Sequence, residues 1–102
     1  MQPVNIVRRL NRDVKDLTFA PPVTHVYNPL DYAFEAHRSY LKQYCRTGIQ
    51  ALLLGMNPGP WGMVQTGIPF GEVALARDWI GIKEDVKKPK IEHPKRLIEG
   101  FD

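Results

Sequence analysis

The apolar positions of the first third of the chain recur at helical intervals. From Asn5 to Leu17, Val7, Leu10, Val14 and Leu17 fall on one face while Arg8, Arg9, Arg12 and Lys15 fall elsewhere, which predicts an amphipathic helix that packs through that face. Pro21 and Pro22 end it, and Val23 to Val26 reads as a short extended segment. Asn28 as N-cap, Pro29 at the first helical position and Asp31 in the first turn predict a second helix running to about Cys45, with Gly48 as its stop. Ala33, His37, Tyr40 and Tyr44 form its stripe, and Lys42 and Arg46 suit its C-terminal turn.

The pattern then changes. Ala51 to Leu54 is an apolar run without alternation, as expected of a parallel strand buried on both faces. It leads into GMNPGPWGMVQTGIPFGE, Gly55 to Glu72, where glycines allow close backbone approach and Pro58, Pro60 and Pro69 hold the loop in shape. Glu72 to Ile80 reads as a third helix with Val73, Ala76 and Ile80 inward and Gly81 as its stop. Strand, glycine-rich loop and helix form the unit from which open α/β folds build ligand sites at the carboxyl ends of their strands, so the expected fold class is α/β. One strand and one further candidate are too few for a doubly covered sheet. We therefore expect a partial domain, the N-terminal portion of a longer protein.

Composition narrows the function classes. At 102 residues there is room for one small domain, and no apolar run approaches the roughly eighteen residues of a membrane span. The N-terminus carries charge where a signal peptide needs its apolar stretch, so an intracellular protein is expected. Cys45, the single cysteine, excludes an internal disulfide and a four-cysteine iron–sulfur cluster, and is expected in the core. No His, Cys or carboxylate cluster has metal-ligand spacing, so neither metal nor cofactor is expected. The net charge of +3 is concentrated between Lys83 and Arg96, where six basic residues face three acids. Lys87, Lys88, Lys90, Lys95 and Arg96 could track a phosphate backbone, or the segment could be a solvated connection.

The long loop has the composition of a pocket. It presents Met56, Trp61, Met63, Ile68 and Phe70 around one amide, Asn57, which suits a flat and partly apolar ligand. A neutral amide cannot take a proton at pH 7, but it can accept a hydrogen bond from water and aim the oxygen; before a proline it can also simply form a turn. Phe70 reads as a stacking ring or as a core aromatic. Gln65 and Thr66 could reach a ligand's sugar or phosphates but read better as surface polar residues, His37 reads as a satisfied core histidine, and His25 has no assignable role. A nucleotide-phosphate loop is disfavoured because GxGxxG and GxxxxGK[ST] are both absent.

Residues from Tyr27 to Arg96 resemble the single-strand-selective monofunctional branch of the uracil-DNA glycosylase superfamily. The resemblance rests on YNPLDYA at Tyr27 to Ala33, YC at Tyr44 and Cys45, the whole Gly55 to Glu72 loop, RDW at Arg77 to Trp79, and EHPKR at Glu92 to Arg96. It implies the N-terminal part of a three-layer α/β fold with a central, mostly parallel sheet: residues 1–22 as a preceding helix and turn, 23–96 as the matching region, 97–102 as a truncated end. It also implies hydrolysis of the N-glycosidic bond of uracil and oxidised pyrimidines in single- and double-stranded DNA, the opening step of base-excision repair. The full-length protein would be a monomer without cofactor, nuclear in a eukaryote. On this resemblance Asn57 is catalytic and positions water, Phe70 stacks on uracil, and Met56, Gly59 and Met63 contribute to the base pocket. The second catalytic residue would be a histidine of an HPSP-type motif outside these residues, since His93 matches the family's earlier EHPKR segment. Trp61 stands where relatives commonly carry phenylalanine, and the loop has no lysine to attack the sugar, consistent with hydrolysis without strand cleavage. The competing expectation is an inactive fragment, a remnant that binds DNA or another chain.

Overall fold

Asn28 joins the first two helical segments. The computed structural model describes residues 2–102. Helix α1 spans Pro3–Val14, with proline in its first turn where the missing N–H costs nothing. The Asn28 side chain accepts from the Leu30 N–H at 3.1 Å, capping α2, Pro29–Tyr32, and donates to Asn11 Oδ1 on α1 at 2.7 Å. The expected second helix is interrupted at Ala33 (φ −110°, ψ 27°) and resumes as α3, Phe34–Tyr44. The break falls where the loop backbone is pressed against Ala33. Gly67 sits there at φ +76°, and a Cβ on it would lie 2.6 Å from the Ala33 carbonyl oxygen. Helix α3 ends ahead of Gly48, with Cys45 as its cap. Cys45 is exposed, not in the core, because it lies beyond the buried stripe of Ala36, His37 and Leu41.

The loop supplies a short helix, α4, Met63–Thr66, closed by Gly67. After it the Glu72 carboxylate accepts from the N–H groups of Ala74 and Leu75 at 2.7 and 3.2 Å, capping the expected third helix. That helix widens to π geometry over α5, Leu75–Ile80, and stops at Gly81 in the left-handed region (φ +81°). Ala76 is buried and Val73 and Ile80 pack beside it, as their spacing indicates. Two apolar clusters form the interior: Ala36, Ile68, Ala76, Ile82 and Phe101 in one, Tyr32, Ala33 and Ile98 in the other, with Val86 packed against both.

The α/β expectation fails here. Among the described residues there is no strand and no sheet, so the structure is helical and has no central parallel sheet. Ala51 to Leu54 is irregular and solvent-exposed, with Leu54 90% accessible. A strand exists only through the ladder it shares with neighbours, and a doubly buried one also needs a layer on each face. The other candidate, Val23 to Val26, is itself irregular and leaves the run unpaired.

Candidate functional site

The apolar face of α1 does not close onto a core. Leu10 and Val14, with Leu17 beyond the helix end, instead form one wall of a cavity of about 850 Å³. The opposite wall is the long loop, from Leu53 through Pro58 and Gly59 to Met63, Pro69 and Phe70, and Tyr27 and Asn28 contribute at its side. Among the described residues no charged side chain lines it. Met56, Asn57, Gly59, Met63 and Phe70 therefore meet at one cavity, while Ile68 turns away into the core and Trp61 faces another groove.

Phe70 is held there under strain. Its backbone adopts φ +56°, an unusual conformation for a bulky residue that costs of the order of 1–3 kcal/mol, and its ring stays 63% exposed. Gly55 lies under the ring: a Cβ there would come within 3.2 Å of the ring tip, so a larger residue would ask the ring to shift by a few tenths of an ångström. The restraint comes from Thr66. This fully buried residue donates its hydroxyl to the Gly71 carbonyl at 2.7 Å and accepts from the Ile68 N–H at 3.2 Å, closing the turn that presents Phe70. Gln65, also buried, donates to the Leu97 carbonyl at 2.9 Å and accepts from the Glu99 N–H at 3.0 Å, so one amide serves two backbone groups that no ladder satisfies. Both residues are thus internal staples, not surface polar groups. Their position between the apolar residues Val64 and Ile68 was the available signal.

Asn57 is exposed, and its Nδ2 donates to the Pro58 carbonyl at 3.1 Å. That bond orients the amide and, among the described residues, leaves Oδ1 without a protein donor. A Cβ on Gly59 would meet nothing within 4 Å, so the approach to its backbone is open, and its carbonyl accepts from the N–H groups of Gly62 and Val64 at 3.2 and 3.1 Å.

His37 lies apart from the cavity. It is buried, and its Nδ1–H donates to the Gly67 carbonyl at 2.7 Å; burial holds its pKa below the ordinary value, an effect the carbonyl partly offsets. Burial, followed by the nearby Tyr27 and Glu92, raises the pKa of Tyr32, whose hydroxyl donates to the Val64 carbonyl at 2.5 Å. Neither His25 nor His93 lines the cavity; their rings meet edge to face, 4.9 Å between centroids. Among the described residues no group of three His, Cys, Asp or Glu side chains could hold a metal, and no helix is long and apolar enough to cross a membrane.

The five candidate phosphate-contacting residues are divided among different grooves or line none. Lys87 faces a separate groove beside α1 with Arg8 and Arg12, and Lys88 donates to the Ile98 carbonyl and pairs with Glu92 at 3.9 Å. Lys90 is exposed and lines neither this groove nor the cavity. Lys95 and Arg96 lie beside the loop, with the Arg96 guanidinium 5.0 Å from the centre of the Trp61 ring.

An uncharged cavity that exposes the rings of Phe19 and Phe70 beside the Asn57 amide can accept a flat, partly apolar ligand. The chain has named relatives. Over 94 residues, 92% of its length, it is 53% identical to the single-strand selective monofunctional uracil-DNA glycosylases of Rattus norvegicus and Bos taurus and 52% identical to that of Mus musculus. The chain is homologous to part of these proteins and spans about a third of their length. No protein-family model matches it.

Proposed function

We propose that this chain carries the base-binding and water-positioning part of a monofunctional uracil-DNA glycosylase of base-excision repair, acting on single- and double-stranded DNA inside the cell, and in the nucleus of a eukaryote. The supporting observation is the convergence of Asn57 and the exposed Phe70 ring on one uncharged cavity, in a chain with such relatives. An extruded uracil stacks on Phe70, with Met56 and Met63 as apolar wall and the open backbone at Gly59 admitting the nucleotide. Asn57 Oδ1 accepts a hydrogen bond from water and aims its oxygen at the anomeric carbon. A weak acceptor is sufficient if the bond to the base is largely broken before water arrives, giving oxocarbenium-like character. The departing base carries negative charge. His37 is committed to Gly67, and His25 and His93 lie outside the cavity, so stabilising that charge needs a group from beyond these residues.

The reading is tested on a longer protein of the relatives' length, by release of uracil from a single-stranded oligonucleotide. Asn57→Ala should lower the rate by about 10²-fold or more, the penalty typical of a misplaced reactant. Retained release would overturn the assignment. Binding without hydrolysis by these 102 residues alone is a second reading, favoured by the absence of any ionisable histidine at the cavity. Turnover by the 102-residue chain would eliminate it.

A further inference from the structure

Trp61 is an exposed aromatic side chain that the cavity does not use. It sits between Gly59 and Gly62, both of which line the cavity, yet its ring is 64% accessible and opens onto a separate groove of about 430 Å³. The loop therefore presents an exposed ring to each of two openings, Phe70 to the cavity and Trp61 to the groove.

The groove is organised by Tyr27, which also lines the cavity. Its hydroxyl accepts from the His93 N–H and donates to the Arg96 carbonyl, both at 2.7 Å, clamping the turn that carries Lys95 and Arg96. Arg96 donates to the Lys95 carbonyl at 2.9 Å, and its guanidinium lies over the Trp61 ring. A planar cation supported on an indole offers one flat, positively charged step, and a planar base attached to a phosphate matches both properties. Acids share the groove. Glu72 is occupied by the N–H groups of Ala74 and Leu75, but Glu99 and Asp102 also line it, so net attraction for phosphate is weak and stacking must supply most of the grip.

We infer that the Trp61–Arg96 pair stacks a nucleobase neighbouring the one held in the cavity, so that a single DNA strand is gripped on both faces of the loop. This rests on the proposed function, because it takes DNA as the ligand of the cavity.

The chain with Trp79→Phe leaves Trp61 as the sole fluorophore of its kind, Trp79 being exposed and outside both grooves. It is titrated with a single-stranded oligonucleotide containing one uracil and with the same strand carrying thymine instead. Both should quench the emission. Loss of a base–aromatic stack predicts that Trp61→Ala, read by a labelled strand, weakens binding of both about ten-fold, while Trp61→Phe stays within about three-fold and Arg96→Ala falls between. The preference for the uracil strand should survive Trp61→Ala and disappear with Phe70→Ala. If Trp61→Ala, with unchanged circular dichroism, binds both strands as tightly as its parent, the stacking step is overturned and the cavity reading stands. If the parent, shown by a cooperative urea transition to be folded, binds neither strand, both fall.

Discussion

The two sides of this molecule treat similar apolar residues in opposite ways. On one side Ile68, Ile82 and Phe101 disappear among α3, the turn after α4 and the segment around α5, each surrounded by other elements. On the other, Leu52, Leu53 and Leu54 are at least 77% exposed and α1 turns Leu10 and Val14 toward an open cavity. Hydrophobicity is the same on both sides; what differs is whether the chain brings a second surface to the first. The turn from Thr66 to Gly71 is the boundary, anchored by Ile68 in the packed side while it carries Phe70 into the open one.

The contrast can be broken most directly at its anchor. Ile68→Ala removes a fully buried side chain and should cost about 2–5 kcal/mol in a urea titration, enough to unfold a marginal domain. A loss below about 1 kcal/mol would mean that the packed side is not close-packed. Thr66→Val keeps the shape but strands the Gly71 carbonyl and the Ile68 N–H, and should cost about 1–3 kcal/mol. Because the same bonds hold Phe70, this variant should also weaken base binding, which a purely structural loss elsewhere in the core would not do.

Acid sharpens the comparison through His37. Its pKa is lowered in the folded chain, so below the ordinary value of about 6.5 the unfolded state takes up the proton first. The contribution is complete above that pH and is lost as pH falls through the folded value. Stability measured from pH 7 to 5 should decline, and His37→Gln should flatten that decline; parallel slopes would show that His37 is not responsible. The smallest effect belongs to the open side. Leu54→Ser should change stability by no more than about 0.5 kcal/mol in the same titration, since the side chain is already in water. A larger loss would show that this run is covered in solution.

Much of the site could be read along the chain because its signals are local. The capping of α2 by Asn28, the left-handed stop at Gly81 and the single loop carrying Asn57 and Phe70 depend on residues close in sequence. Gln65 and Thr66 were misread because polarity says nothing of burial when the partners, Leu97 and Glu99 for one and Gly71 for the other, depend on how the chain folds back. The basic segment shows a related limit: charge pattern does not reveal that Lys87 lines one groove, that Lys88 donates to the Ile98 carbonyl and that Arg96 lies over Trp61.

By itself, the order of residues determined the helix starts and stops, the conformational freedom of the loop and the amide and ring that it carries, since each follows from backbone sterics or side-chain chemistry within a few positions. Tertiary structure alone decided that Ala51 to Leu54 is not a strand, that Ala33 breaks a helix and that Trp61 turns to a different face from Phe70. Those outcomes depend on distant segments, because pairing and burial are properties of two surfaces and a sequence window contains only one of them.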